Sequence, residues 1–324
     1  MARNKEIDNL RGLAMLAMII IHATAYFLSN KAVYYLWDIL EWAVPIFMFC
    51  SLYIFYKRPK KIDLKKRFSR LLIPYYIFLG AYFVLIYFFE KQKFNLGNIS
   101  ANVFLYGGLD FNWLVLLFLY LTLLMPLIFW LEKKKVWFYG FFSLSLISSI
   151  YFIFHNFNYR LVMWLPWSLF IFFTIFFVKN ENNKKIMSLT AFSSLALFFG
   201  LRLMEARMGH DLSQYANKYP PTLYHISFGI FSIIVIYYLS KMKVFSFLWI
   251  DKLLDFLSFN SYSLFFIHIL VIFSLTWMKF HFANWFTFFL AIFGLSSGIQ
   301  ILLNSVIEVR NKVWMRVMKI EQRS

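Results

Sequence analysis

Long apolar runs separated by short polar and basic segments are the dominant pattern along this chain. A helix needs about 20 apolar residues to cross the hydrocarbon core of a bilayer, and ten runs approach that length. They cover residues 10–28, 36–56, 71–89, 113–131, 136–154, 161–178, 186–203, 222–239, 262–280 and 285–303. The pattern predicts an all-α, polytopic integral membrane protein with about ten transmembrane helices, built as a single domain over residues 1–324.

The composition agrees with a membrane protein and excludes several other classes. Hydrophobic residues make up 61% of the chain and charged residues only 15%, against roughly 25% charged residues in a soluble domain. Phe alone contributes 43 residues, which excludes an intrinsically disordered chain. The lone cysteine, Cys50, excludes an intrachain disulfide, and no spacing of His, Cys, Asp and Glu predicts a metal site.

The distribution of basic residues predicts the orientation in the membrane. The formal net charge is +18. When the apolar runs are taken as spans, 25 of the 33 lysines and arginines fall on one side, together with both termini. Basic segments tend to stay in the cytoplasm, so we expect both termini on the cytoplasmic side of the cell membrane. Contacts with anionic membrane lipids account for the charge without a nucleic-acid partner.

The first apolar run has a second interpretation, because a secretory signal peptide also begins with a short apolar stretch. Ala23, Thr24 and Ala25 resemble a small-residue cleavage site. The acidic residues Glu6 and Asp8 in the segment before the apolar stretch, however, argue against a signal peptide. We therefore interpret the run as the first transmembrane helix.

Polar residues inside the predicted spans are the candidates for function, because they are costly in hydrocarbon. Arg11 and His22 are about three helical turns apart, which places them on one helix face at a separation of about 16 Å. Asp8 precedes Arg11 by one turn and is able to hold its guanidinium. Taken alone, Arg11 is better explained as a cationic anchor at the cytoplasmic surface. A structural hydrogen bond explains His22 as well as catalysis does.

The second predicted span contains Glu41 at a depth similar to that of His22. Its carboxylate is able to accept a hydrogen bond from the imidazole, fix its tautomer and stabilise its protonated form. Asp38 is the shallower alternative, and both acids also fit a hydrated helix end. A second histidine inside a span, His268, follows Ser261 in the ninth run.

Arg67 and Arg70 lie three residues apart at the start of the third run, on one face of a helix. Two guanidinium groups so placed suit a phosphate-rich ligand, because each offers a planar fork of donors. Taken alone, the two arginines are better explained as basic residues that keep this segment on the cytoplasmic side of the membrane.

Five motifs follow one another along the chain in an order that resembles the bacterial membrane acyltransferases called the acyltransferase-3 family. These motifs are Asp8-Asn-Leu-Arg11-Gly12 with His22, Val44-Pro45 through Ser51, Arg67-x-x-Arg70 with Pro74, Trp113-Leu114 through Pro126, and Ser261-Tyr262 through His268. The family usually has glycine in place of Leu52, often histidine in place of Asn112 and often proline in place of Ile269. The resemblance covers nearly the whole chain.

The resemblance implies an O-acyltransferase that moves an acyl group, usually acetyl, onto an envelope sugar. Arg11, Arg67 and Arg70 are expected to bind the phosphates of the donor substrate, cytosolic acyl-coenzyme A such as acetyl-coenzyme A. His22 is expected to be the catalytic base or the acyl acceptor, and Glu41, at a similar depth in the second span, is expected to support it. The expected acceptor is a hydroxyl of a glycan or lipid-linked sugar. Residues with an acceptor-binding or structural role are expected to be Asp8, Trp113, Ser261 and His268.

A transporter or flippase for a lipid-linked sugar is the alternative function. It would also need many spans, buried polar groups and a basic inner face. Such transporters typically have broken helices and inverted repeats near the middle of the membrane, and neither is evident in the sequence.

The charge distribution predicts that epitope tags placed after Ser324 and beside Asn95 face opposite sides of the membrane. Antibodies would be applied to intact cells and to permeabilised cells. We expect the tag beside Asn95 to be labelled in intact cells and the tag after Ser324 only after permeabilisation. Labelling of both tags in intact cells would contradict the predicted orientation.

Overall fold

The computed structural model describes residues 4–57, 63–155 and 157–321, and the side chains of these residues up to residue 309. Part of the basic segment Lys57–Arg70 and the terminal Ser324 lie outside the described residues. Within the described ranges the chain forms helices and turns and no β-strand. The predicted all-α class is therefore confirmed.

The helices follow the apolar runs closely. In chain order they are α1 (Lys5–Thr24), α2 (Lys31–Ile39), α3 (Ala43–Tyr56), α4 (Leu64–Phe89), α5 (Leu96–Val103), α6 (Asn112–Glu132), α7 (Lys135–Phe154), α8 (Tyr159–Val162), α9 (Trp164–Trp167), α10 (Leu169–Asn180), α11 (Lys184–Arg207), α12 (Leu223–Lys241), α13 (Leu248–Phe259), α14 (Ser261–Trp277) and α15 (Trp285–Glu321). A short 3-10 turn, Leu40–Trp42, joins α2 to α3.

Eight helical segments in the described part of the chain are long and apolar enough to cross a membrane, so the protein is a multi-pass membrane protein. In this count α2 and α3 form one segment, Lys31–Tyr56. A ninth arises when α13 and α14, which meet at an angle of 86°, are taken together. The predicted span 161–178 is broken into α8, α9 and α10, and its apolar part, Trp164–Asn180, is shorter. Pro166 lies in the broken stretch, where it has no N–H to donate.

Helix α1 lies at the centre of the bundle, where it contacts α3, α12, α13, α14 and α15. Asn4 caps its first turn, because the Asn4 side chain accepts a hydrogen bond from the backbone N–H of Ile7. We call the end of the bundle at Lys5 the inner end and the end at Thr24 the outer end. The basic residues predict that the inner end faces the cytoplasm.

Helix α13 packs along the inner half of α1 through polar contacts. Nζ of Lys5 lies 2.7 Å from Oδ1 of Asp251 and 2.9 Å from Oδ1 of Asp255. The hydroxyl of Ser258 donates to Oδ1 of the buried Asp8 at 3.0 Å. Because α14 turns away from α13 by 86°, these contacts also fix where α14 enters the bundle.

A glycine allows this close packing. A Cβ atom added to Gly12 would lie 2.5 Å from the carbonyl oxygen of Leu254, which belongs to the backbone of α13. Backbone cannot move aside as a flexible side chain can. We therefore expect Gly12→Ala to displace α13 and to lower the free energy of unfolding by about 1–3 kcal/mol, as overpacking usually does.

Thermal unfolding of the purified protein in detergent would measure this effect. Gly80→Ala is the matched control, because Gly80 also lies inside a helix and its added Cβ would have no neighbour within 4 Å. We expect the control to unfold at an unchanged or slightly higher temperature. Equal unfolding temperatures for the two variants would show that the Gly12 contact with α13 does not constrain the fold.

Candidate active site

A cavity with a volume of about 1110 Å³ lies between the outer halves of the helices. Its walls come from helices α1 to α6, from α14 and from the connections at the outer end. This volume suits a small-molecule or sugar-sized ligand. Two predicted catalytic residues, His22 and Glu41, line it together with Trp113. The other aromatic side chains on its walls include Trp37, Tyr82, Tyr215, Tyr219 and Trp277.

His22 lies in the last turn of α1 and contacts a second histidine across the helix interface. Its Nδ1 atom lies 2.7 Å from Nε2 of His268 on α14. His268 is completely buried, and its Nδ1 atom lies 2.9 Å from the carbonyl oxygen of Leu264. The structure thus brings together the two histidines that lie inside predicted spans.

These contacts determine the proton positions when both imidazoles are neutral. The carbonyl of Leu264 can only accept, so Nδ1 of His268 carries the hydrogen and donates it. Nε2 of His268 is then the acceptor for the Nδ1 hydrogen of His22. Nε2 of His22 retains a free lone pair, and within the described residues no protein group forms a hydrogen bond with it. His22 therefore presents a base on the cavity wall.

Glu41 lies on the same cavity, but its partner differs from the predicted one. Its Oε2 atom accepts a hydrogen bond from Nζ of Lys218 at 2.6 Å. Across the described residues no hydrogen bond joins Glu41 to His22, whose Nδ1 atom is paired with His268 instead. Asp38, the alternative acid, instead accepts a hydrogen bond from the backbone N–H of Gln214.

Lys218 was not predicted from the sequence. It lies in the connection between α11 and α12, 177 residues from Glu41 along the chain, and no local pattern indicates a partner at that distance. One available signal was its position, since Lys218 is one of only eight cations on the predicted outer side. Cations on that side are uncommon under the positive-inside rule.

Arg160, another cation on the predicted outer side, fixes the cavity wall between α5 and α6. Its guanidinium donates to the carbonyl oxygen of Leu105 and to Oδ1 of Asn112. The side-chain amide of Asn112 in turn donates to the carbonyl oxygen of Gly107 at 2.6 Å. Asn112, which replaces the histidine common in the resembling family, therefore holds this loop in place.

The predicted donor-binding arginines lie at the inner end. The guanidinium of Arg67 lies over the ring of Phe55, 3.8 Å from its centroid, and Arg70 is exposed. The hydroxyl of Tyr262 donates to the carbonyl oxygen of Leu71 at 2.6 Å. This hydrogen bond places the residue after Arg70 beside the first turn of α14.

The remaining predicted residues are distributed between the two ends. Arg11 is partly buried near the inner end of α1, whereas Arg67 and Arg70 lie in the first part of α4. Ser261 is the first residue of α14 at the inner end. Trp113 lies in the first turn of α6, on the cavity.

Comparison with protein families gives a match over most of the chain. The family model described as an acyltransferase domain, of the acyltransferase-3 type, covers residues 4–304. No curated protein and no solved structure matches the chain significantly. The matched region includes the inner arginines, both paired histidines and every residue named on the cavity. The chain therefore belongs to the acyltransferase-3 family of membrane acyltransferases.

Proposed function

We propose that the protein transfers an acetyl group from cytosolic acetyl-coenzyme A to a hydroxyl of an envelope glycan or lipid-linked sugar. It acts in the cell membrane with both termini in the cytoplasm. The observation that carries this proposal is the His22 imidazole, whose Nε2 lone pair is directed away from His268 on the wall of the outer cavity. Acyl transfer to a hydroxyl needs a base of this kind.

The inner end supplies features that suit the donor. Coenzyme A carries its phosphates at one end and its thioester at the end of a long arm. Leu71, the residue after Arg70, lies beside the first turn of α14, and a helix N-terminus together with guanidinium groups favours phosphate binding. Arg67 and Arg11 lie at the same end of the bundle. His22 lies about 16 Å from Arg11 along α1. When the phosphates are bound at the inner end, the long arm of coenzyme A is able to extend to the cavity and place the thioester there.

In the proposed reaction His22 moves one proton twice. Nε2 of His22 accepts the proton of the acceptor hydroxyl while the hydroxyl oxygen attacks the carbonyl carbon of the thioester. The new C–O bond forms, the C–S bond breaks, and His22 returns the proton to the departing thiolate. The hydrogen bond from His22 to His268 keeps Nε2 as the reacting atom throughout.

The function would be tested by mass spectrometry of envelope glycans. Cells that lack the gene would be complemented with the native protein, His22→Ala or His22→Gln. We expect an acetyl mass increment with the native protein and none with His22→Ala. His22→Gln preserves size and hydrogen bonding but cannot exchange a proton near neutral pH, so we expect it to lose about 10²–10⁴-fold in transfer rate.

Control measurements separate this result from misfolding or transport. Both variants should insert in normal amount and retain coenzyme A binding, because the arginines lie at the other end of the bundle. His268→Phe removes the acceptor for Nδ1 of His22 and the donor to the Leu264 carbonyl, but it keeps the reacting imidazole, so it should be less damaging than His22→Gln. Near-native activity of His22→Gln would remove His22 from the mechanism. Glycans that change in amount but not in acyl mass would favour a transporter.

A separate prediction concerns the donor site. Arg67→Ala and Arg70→Ala should each raise the KM for acetyl-coenzyme A by roughly 10- to 100-fold, since a charge-assisted contact contributes about 1.5–3 kcal/mol. Lys65→Ala, an exposed cation on the same helix, is the matched control and should have little effect. Thiol release from acetyl-coenzyme A by the purified variants would measure KM. Small, equal effects of all three changes would indicate a diffuse basic surface.

A further inference from the structure

A buried ion pair forms part of the cavity wall that also holds His22. Nζ of Lys218 lies 2.6 Å from Oε2 of Glu41, and only 6% and 1% of these side chains are exposed. Removing two charges from water is costly, and apolar residues of similar volume are often as stabilising or more so. Stability alone therefore does not account for charges at this position.

Three aromatic rings enclose the ammonium of Lys218. Its Nζ atom lies 4.8 Å from the ring centroid of Tyr219, 4.9 Å from that of Tyr215 and 5.8 Å from that of Trp113. Burial raises the pKa of the Tyr219 hydroxyl well above its usual value, so this ring stays neutral. The rings attract the cation through their π faces and shield it from water. They hold it at one position on the cavity.

The ammonium retains hydrogen-bonding capacity toward the cavity. A lysine ammonium has three N–H donors, and among the described residues Lys218 donates a hydrogen bond to Glu41 alone. Glu41 likewise keeps one buried oxygen, Oε1, with no hydrogen-bond partner among the described residues. The pair is thus anchored on one side and open to further polar partners on the other.

The other cation on the cavity wall has a different environment. Lys93 pairs with Glu90 at the outer rim, and 58% of its side chain is exposed. Water screens a charge at such a position, so its interaction with a ligand is weak. Among the described residues that line the cavity, Lys218 is therefore the cation placed to act on a reacting group.

We propose that Lys218 is a catalytic residue that stabilises the oxyanion formed during acyl transfer, with Glu41 as the positioning residue that holds its ammonium. The inference rests on the proposed function. When the acceptor hydroxyl attacks, its proton passes to His22 and the carbonyl π electrons move to oxygen. Lys218 donates a hydrogen bond to that oxygen. When the carbonyl re-forms, the C–S bond breaks and the thiolate takes the proton from His22.

A fixed cation in a site shielded from water stabilises such a charge strongly, because no solvent must reorganise as the charge develops. The acyl group needs little stabilisation before the attack, since its carbonyl is then neutral. Lys218 therefore acts on the turnover rate more than on donor binding. We expect Lys218→Met to lower kcat by roughly 10²–10³-fold and to leave the KM for acetyl-coenzyme A within about threefold of the native value.

The experiment compares purified variants with acetyl-coenzyme A as donor and envelope glycans from cells lacking the gene as acceptor. The variants are Lys218→Met, Lys218→Arg and the double variant Glu41→Gln with Lys218→Met. The double variant is needed because Lys218→Met alone leaves the Glu41 carboxylate buried without its cation, which lowers the free energy of unfolding. Lys31→Met, at an exposed cation on the outer end away from the cavity, is the control and should keep native activity.

The double variant distinguishes catalysis from a structural role. We expect it to unfold at a temperature near that of the native protein and to remain as slow as Lys218→Met. Lys218→Arg, which keeps a cationic donor, should retain more activity than Lys218→Met. A double variant with kcat within about threefold of the native protein would overturn the inference while leaving the proposed function intact. A native protein that transfers no acetyl group would overturn both.

Discussion

The hydrogen bond between His22 and His268 is the constraint on which the rest of the candidate site depends. It joins α1 to α14, and it sets the tautomer of His22 only because His268 itself donates to the Leu264 carbonyl. That arrangement requires α1 and α14 to keep a fixed offset along their axes, so that the two imidazoles lie at the same depth. The contacts of α13 with the inner half of α1 and the sharp turn into α14 meet this requirement.

Charge is distributed along the site according to the cost of burying it. Arg70 at the inner end is exposed, where water and anionic ligands reach it. The buried cations of the outer half are each held by compensating groups: Lys218 by a carboxylate and aromatic rings, and Arg160 by carbonyl and amide oxygens. Buried cations in membrane proteins are typically paired with carboxylates or with carbonyl oxygens, because an unpaired charge is costly in hydrocarbon. The outer cavity therefore has charged groups at fixed positions in a wall that also contains many aromatic side chains.

One departure from the family pattern, and one predicted residue that has a different partner, are explained by contacts in the structure. Asn112, in place of a histidine, serves as the acceptor for Arg160 and as a donor to the adjacent loop. Glu41, expected to support His22, supports Lys218 instead. In both cases His22 remains on the cavity wall. Asn112 pairs with Arg160, and Glu41 pairs with Lys218 instead of with its predicted partner, His22.

The sequence by itself determined the helical class, the multi-pass membrane character and the positions of most helices. These follow from the length of the apolar runs, about twenty residues each. Spacing within one helix also placed Arg11 and His22 on the same face. The tertiary structure alone decided that His22 pairs with His268, 246 residues away, and that Glu41 pairs with Lys218. Such partners depend on which helices pack side by side and at what depth, and no local pattern of residues encodes that.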